Sequence, residues 1–197
     1  MGADLSGGGL YEAITGEPVS ELIQHTNTGD ILPATDSLIG SDGEFTGKLE
    51  LLKDALAQVN YDHVIIDTPP ALCAITLLAI VASSDLIIPL EPCLYSIQGF
   101  EQLYYYLNRI KDHTGYSPKI DGLLFTRYDP RMIVPRQMRE ALTERAAELG
   151  VDVFKTTIKT AAAVRKAQAK GAGILELYPD SQAAEDYKAF TKEYLKK

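Results

Sequence analysis

The chain is poor in the residues from which metal and disulfide sites are built. Of its 197 residues only two are cysteines and three are histidines. Cys73 and Cys93 lack CxxC spacing, and the histidines at 25, 63 and 113 are scattered, so the sequence indicates no structural zinc site. We expect both cysteines to be reduced thiols in the interior of a cytoplasmic protein.

Long apolar runs and phosphate-binding loops are also missing. The apolar run at 71–81 is too short for a membrane span, which needs about 18 residues, and it predicts a buried helix. The pattern GxxxxGK[ST] occurs nowhere, because Gly47-Lys48 is followed by Leu49. The glycines at 7–9 have neither a preceding strand nor a lysine, so they predict a flexible turn before a short helix at 10–15.

Charge argues against a globally basic nucleic-acid binder, since the formal net charge is −8. The distribution is uneven, however. Residues 156–171 contain no acid but carry four cations, Lys159, Arg165, Lys166 and Lys170. A local basic patch is therefore compatible with the sequence.

Strand-length apolar runs alternate with helical patterns along the chain. Strands are predicted at 30–34, 63–67, 86–90, 120–126 and 153–158, and helices at 48–59, 97–113, 134–149, 161–170 and 181–195. In the last helix we expect Ser181 to be the N-cap and the buried face to comprise Ala184, Tyr187, Phe190 and Tyr194. The runs at 63–67 and 120–126 lack clean alternation, which is typical of strands buried on both faces. The pattern predicts an α/β fold, a mostly parallel sheet with helices on both faces, in one domain spanning 1–197.

The stretch YDHVIIDTPPAL, residues 61–72, is the most informative motif. It predicts an apolar strand that ends in Asp67, then a proline-locked turn and a helix. A carboxylate at the carboxyl end of a central parallel strand lies where such folds bind ligands, and it can hold a Mg²⁺-bound water beside nucleotide phosphates. From these residues alone, a structural turn remains an open alternative.

VIIDTPP resembles the Walker B and switch II segment of the ParA/MinD superfamily of deviant-Walker ATPases, and the order of further segments resembles the ParA/Soj-type partitioning proteins. Those segments are residues 75–103, GLLFTRYDPR at 122–131, and 153–190. The resemblance covers nearly the whole chain. It implies a P-loop NTPase fold and ATP-dependent partitioning of chromosomes or plasmids.

The resemblance also implies site roles. Asp67, Thr68, Pro69 and Pro70 correspond to switch II, with Asp67 holding Mg²⁺ through water. Thr126, Arg127, Tyr128 and Asp129 correspond to the loop near the nucleotide base. A non-specific DNA surface would comprise Arg131, Arg136, Lys159, Arg165, Lys166 and Lys170. Each assignment has a structural alternative. Residues 67–70 could be only a structural turn, residues 126–129 only a surface loop, and the six cations only a solvated helix face.

In the family, a phosphate-loop strand, the lysine-bearing loop, a helix and a second strand precede a GADLS-like segment. Because residues 1–197 contain no counterpart of that region, we expect an N-terminally truncated domain that binds neither ATP nor Mg²⁺. Three explanations of this expected truncation remain open. The sequence is a fragment of a longer protein, a natural truncated paralogue, or a fold that has repacked around the gap. The partners that the resemblance implies are a second copy or a complete ParA-like protein, a ParB-like centromere-binding protein and non-specific DNA, with no membrane and a location in the cytoplasm or on the nucleoid.

Two functions follow from these observations. One is an ATPase of DNA segregation that in this form does not hydrolyse ATP. The other is a non-catalytic module, derived from a ParA-like protein, that binds DNA or a partner. The bacterial tyrosine kinases share a VIIDTPP-like segment, but the tyrosines at 104–106 lie inside a predicted helix rather than in a tail.

Overall fold

The computed structural model describes residues 4, 6–27 and 29–196. Positions 2, 3 and 5 of the glycine-rich opening stretch lie outside these ranges. The described residues group into two compact units. The first contains the chain up to Ser84 together with Tyr116–Pro118, and the second contains Asp85–Gly115 together with the chain from Lys119 onward.

The first unit consists of short helices and a small hairpin. Its helices are α1 (Leu10–Thr15), α2 (Val19–Leu22), α3 (Asp42–Phe45), α4 (Leu51–Leu56) and α5 (Ala74–Ala82), with a 3₁₀ turn at Asp36–Leu38. The hairpin pairs β1 (Gln24–Thr26) with β2 (Gly29–Ile31) in antiparallel fashion. Ile14, Phe45, Leu52 and Leu78 form the centre of one buried apolar cluster. The helix predicted within 71–81 is confirmed as α5, whose residues 78–81 are all buried.

The second unit is built on a parallel strand pair, β3 (Asp85–Leu90) and β4 (Lys119–Phe125), joined by the long helix α6 (Leu94–Thr114). Parallel neighbours need such a crossover, so this is the βαβ arrangement that the alternating pattern predicts. Register runs from Asp85 opposite Lys119 to Leu90 opposite Phe125, with one irregularity between Leu86 and Ile87. The predicted α/β class with a parallel sheet is confirmed, although the sheet is small.

Chain segment 152–158 runs along the other edge of β4 without forming a regular strand. The N–H of Leu123 donates to the carbonyl of Asp152 at 2.9 Å, and the N–H of Phe154 donates back to Leu123 at 3.0 Å. The N–H of Ile158 reaches the carbonyl of Phe125 at 2.8 Å. A bend at residue 155 interrupts this pairing, so the predicted strand at 153–158 is present only as isolated contacts.

Gly122 lies at the closest approach between β4 and this segment. Its φ is +150°, a conformation that side chains rarely adopt. A Cβ at this position would lie 2.9 Å from the Asp152 carbonyl oxygen and 3.2 Å from the Phe154 ring. The strand therefore requires glycine at this point.

The carboxyl-terminal helices of the second unit are α7 (Ile133–Glu148), α8 (Ala162–Ala169), α9 (Ile174–Leu177) and α10 (Gln182–Tyr194). Ser181 caps α10 as predicted, because its hydroxyl accepts a hydrogen bond from the N–H of Ala184. The predicted buried face of α10 is partly wrong. Tyr187 is exposed, and Asp186 is buried instead, because its carboxylate accepts the backbone N–H of Lys159 at 2.9 Å.

Candidate functional site

Residues 63–69, which we term the 63–69 segment, do not form the predicted strand. The chain runs from His63 to Pro69 without a turn or bend, and its backbone makes no hydrogen bond with any residue that the structure describes. Ile66 packs against the apolar cluster of the first unit, but Ile65 is 93% exposed. A strand exists only where a neighbour satisfies its backbone groups, and here no described neighbour does so.

The 63–69 segment is nevertheless held on both sides. Before it, the Tyr61 hydroxyl donates to the Asp30 carboxylate at 2.6 Å. Beyond it, the Thr76 hydroxyl donates to the carbonyl of Ala71 at 2.6 Å, close to the start of α5. These two hydrogen bonds hold both ends of the 63–69 segment to the first unit, although many of its side chains are exposed.

The switch II candidates lie at the end of this segment, and all four are exposed: Asp67, Thr68, Pro69 and Pro70. Nucleotide-bound Mg²⁺ usually takes one or two protein carboxylates, and its other ligands are phosphates and water. Asp67 presents one carboxylate at this position. Within the described ranges no cluster of three or more His, Cys, Asp or Glu side chains adds to it.

The loop at 126–129 is anchored to the second unit through its backbone. The N–H of Thr126 donates to the Leu90 carbonyl at 2.8 Å, and the N–H of Tyr128 donates to Ile158 at 3.2 Å. Between them Arg127 adopts the left-handed conformation with φ +51°, and its guanidinium lies 3.5 Å from the Glu91 carboxylate. The Tyr128 ring is buried, whereas Thr126 is half-buried and Arg127 is exposed beside Glu91.

Asp129 is clamped by Arg131. Both carboxylate oxygens accept from the Arg131 side chain, at 2.9 Å from Nε and 2.8 Å from a terminal nitrogen, and one also accepts the Arg131 backbone N–H at 3.0 Å. These hydrogen bonds lower the pKa of Asp129 to about 2. The guanidinium of Arg131 is correspondingly committed to an internal partner.

A shallow groove of about 360 Å³ lies where α7 passes Tyr128. The other residues that line it are Arg136, Arg139, Glu140, Thr143 and Glu144. The guanidinium of Arg139 lies over two rings, 5.6 Å from the centroid of Phe125 and 5.5 Å from that of Tyr128. Sequence analysis missed Arg139, although its spacing of three and four residues from Arg136 and Thr143 marks a polar helix stripe.

The six predicted DNA-binding cations do not form one uniform surface. Arg131 is held by Asp129, and the ammonium group of Lys159 lies 3.3 Å from the buried carboxylate of Asp186. Arg136 lines the groove. The other three are exposed on α8 and at its carboxyl end: Arg165, Lys166 and Lys170.

The candidate residues fall in both units. Asp67 and the prolines belong to the first unit, and the loop at 126–129 with all six cations belongs to the second. In the part of the chain that the structure describes, no helix is long and apolar enough to cross a membrane.

Comparison with known proteins identifies the family. The AAA-domain family matches residues 7–120. The chain is 30% identical over 189 residues to the chromosome-partitioning ATPase Soj of Thermus thermophilus, covering 95% of this chain and 74% of that protein.

Two solved structures show the same fold. Apo McdA of Cyanothece superposes with a TM-score of 0.82 at 20% identity, over 97% of this chain and 79% of that one. Cobyrinic acid a,c-diamide synthase of Mycobacterium smegmatis, with a bound ATP analogue and magnesium, has a TM-score of 0.72 at 28% identity, over 82% of this chain and 66% of the other. The chain therefore belongs to the ParA/Soj-type family of deviant-Walker ATPases.

Proposed function

We propose that this protein acts in the partitioning of chromosomes or plasmids, and that residues 1–197 alone do not hydrolyse ATP. Membership of the ParA/Soj-type family supports the first part. The observation that carries the second is that no GK[ST] loop occurs anywhere in the sequence. Phosphoryl transfer depends on positioning and charge neutralisation, which in this fold come from loop amides and a lysine.

The residues present would contribute to nucleotide chemistry in a limited way. Asp67 would hold a water of Mg²⁺, and that ion would neutralise phosphate charge when bound. Thr126 and Arg127 would lie near a nucleotide base, whereas buried Tyr128 would support the loop from beneath. A ParB-like protein and a second ParA-like chain are the partners that the family membership favours.

Titration with ATP in the presence of Mg²⁺ tests the nucleotide part of this proposal. By isothermal titration calorimetry we expect no binding in the micromolar range for the 197-residue chain. A micromolar dissociation constant would contradict this expectation. If such binding weakened in the Asp67→Asn variant, it would show a working metal-nucleotide site.

The DNA part of the proposal rests on α8. Phosphate contacts need clustered cations rather than a base-reading motif, and Arg165, Lys166 and Lys170 are exposed and lack ion-pair partners among the described residues. We propose that this α8 surface contacts DNA without sequence preference, and that Arg131 and Lys159 contribute little because acids already hold them.

Fluorescence anisotropy with a random-sequence duplex tests the α8 surface. Replacing Arg165, Lys166 and Lys170 by alanine should reduce affinity at low salt at least about tenfold and should flatten the slope of log K against log salt by about 2 to 3. The control removes three exposed cations elsewhere, Lys48, Lys111 and Lys192, and so changes net charge equally. If DNA affinity fell equally in both variants, net charge rather than the α8 surface would account for binding, and the proposed surface would be overturned.

A non-catalytic module is the second candidate, and the exposed cations of α8 favour it, because contacts between such cations and DNA phosphates need no bound nucleotide. The nucleotide sequence immediately upstream of the Met1 codon separates the two functions. An in-frame stretch that encodes a lysine-bearing phosphate loop would support the partitioning ATPase. A stop codon in that frame, with a ribosome-binding site, would support a module that binds DNA or a partner without nucleotide.

A further inference from the structure

Helix α10 supplies hydrogen-bond acceptors to the chain that runs beside β4. The inner edge of segment 152–158 bonds to β4. The backbone N–H groups of Lys155, Thr156 and Lys159 are instead accepted by carboxylates of α10. Side chains of a helix thus take the acceptor role that the carbonyl groups of a further strand have in a regular sheet.

Glu193 binds two consecutive backbone donors. One of its carboxylate oxygens accepts the N–H of Lys155 at 2.7 Å, and the other accepts the N–H of Thr156 at 2.8 Å. Partial burial would raise the pKa of Glu193, but hydrogen bonds from Thr156 and Lys155 outweigh it and hold this pKa below its usual range. An ionised side chain therefore holds the chain at the bend where its pairing with β4 is interrupted.

Asp186 holds the chain four residues beyond this bend. Its buried carboxylate accepts the backbone N–H of Lys159 at 2.9 Å and the side-chain amide of Gln182 at 3.0 Å. The ammonium group of Lys159 lies 3.3 Å away. A buried carboxylate is costly unless it is hydrogen-bonded and paired, and these contacts meet both needs. Asp186 and Lys159 therefore hold each other in place.

The residues that α10 holds lie between two of the candidate sites. On one side, the N–H of Tyr128 donates to the carbonyl of Ile158 at 3.2 Å, which joins the loop at 126–129 to this chain. On the other side, α8 begins at Ala162, three residues after Lys159. Because so short a connection leaves little freedom, the position of Lys159 limits where the cations of α8 lie.

Apolar packing holds α10 itself. The ring of Phe190 meets the fully buried ring of Phe154 edge-on, with 5.0 Å between centroids, and Tyr194 packs against the same apolar cluster. This packing does not depend on the carboxylates. The two acids can therefore be altered while the helix stays docked.

We propose that Asp186 and Glu193 are positioning residues, which fix residues 155–159 and through them the loop at 126–129 and the α8 surface. The inference deepens the proposed function and rests on it for the DNA-binding role of α8. Charge alone predicts that removing acids from α10 raises DNA affinity, because it lessens repulsion of phosphates and frees Lys159. Positioning predicts the opposite, because a mobile α8 must be ordered on binding.

Hydrogen exchange of the 197-residue chain, followed by NMR, tests the positioning role without DNA. Asp186→Asn combined with Glu193→Gln preserves the size of both side chains but removes their charge. Exchange of the three N–H groups that α10 accepts should become at least about tenfold faster, because hydrogen bonds to an ionised acceptor are the stronger ones. Exchange at Leu142, a fully buried residue of α7, should not change.

Fluorescence anisotropy with a random-sequence duplex tests the consequence for α8. The double variant should bind DNA at least about threefold more weakly, although it carries two fewer negative charges. The matched control is Asp180→Asn combined with Glu185→Gln, because both of these acids are exposed. This control should leave hydrogen exchange unchanged and should bind DNA at least as tightly as the unchanged protein. If thermal unfolding shows that the double variant does not fold, Glu193→Gln alone takes its place, with smaller changes in the same directions.

Two results would overturn the positioning role. One is exchange at residues 155, 156 and 159 that is as slow in the double variant as in the unchanged protein. The other is DNA affinity in the double variant that equals or exceeds that of the unchanged protein. If the unchanged protein did not bind DNA, the proposed function would be contradicted instead, and hydrogen exchange would decide the positioning role alone.

Discussion

Strand β4 and the 63–69 segment are two apolar stretches with similar sequence patterns, but only β4 is paired and buried. Leu123 and Phe125 of β4 are fully buried, and the strand pairs with β3 along one edge and bonds to segment 152–158 along the other. In the 63–69 segment, by contrast, Ile65 is 93% exposed and the backbone bonds to no described residue. The difference teaches that β-propensity describes a side chain's fit to a sheet, and that the sheet itself must be supplied by neighbouring strands.

The acid within the 63–69 segment, Asp67, and the acid that follows β4, Asp129, differ in the same way. Asp129 is fixed by three hydrogen bonds from Arg131, whereas Asp67 accepts none from the residues that the structure describes. A paired strand thus continues into an ordered loop, and an unpaired one into an open turn. Each comparison yields a measurable contrast.

The largest expected contrast is in stability. Leu123→Ala removes a fully buried side chain and should lower the free energy of unfolding by about 2 to 5 kcal/mol, because it loses apolar burial and leaves a cavity. Ile65→Ala should change it by less than about 0.5 kcal/mol, because that side chain is already in water. Urea unfolding followed by circular dichroism measures both values. Similar losses in the two variants would mean that residue 65 is buried in solution.

A smaller contrast concerns the clamped acid. The pKa of Asp129 in the folded protein, about 2, lies below its ordinary value of 3.8. Its contribution to stability is therefore present above pH 3.8 and is lost as the pH falls towards 2. Arg131→Gln removes the guanidinium hydrogen bonds, the main cause of the lowered pKa, and keeps the one from the backbone N–H, so the titration midpoint of Asp129 should rise part of the way towards 3.8.

Carbon-detected NMR of the Asp129 carboxylate measures this midpoint. Arg127→Gln is the control, since Arg127 lies beside Glu91 rather than Asp129. If the midpoint stayed near 2 without the Arg131 side chain, the backbone of the loop rather than the guanidinium would be responsible.

Sequence patterns predicted the elements whose apolar periodicity lies within their own residues. Helices α6 and α7 and strands β3 and β4 agree with the predicted ranges to within a few residues, because apolar periodicity determines each of them locally. The cap at Ser181 was also predictable, since a serine before an apolar helix stripe is a local signal.

Features that depend on distant partners were not predictable from local patterns. Asp186 is buried because Lys159, 27 residues earlier, presents its backbone N–H to it, and helix periodicity instead assigned that face to Tyr187. The stacking of Arg139 on Phe125 and Tyr128 likewise joins α7 to the end of β4. For the candidate site, sequence supplied the residue identities, but the commitment of Arg131 and Lys159 to acids required the structure.

Gly122 shows how a missing atom can set an alignment. The carbonyl oxygen of Asp152 and the ring of Phe154 occupy the space that a methyl group at residue 122 would take. If the register of segment 152–158 against β4 shifted by one residue, the same close contact would fall on a residue with a side chain and would produce a clash. Because residue 122 has no side chain, segment 152–154 can approach β4 in this register, and steric clashes exclude the adjacent registers.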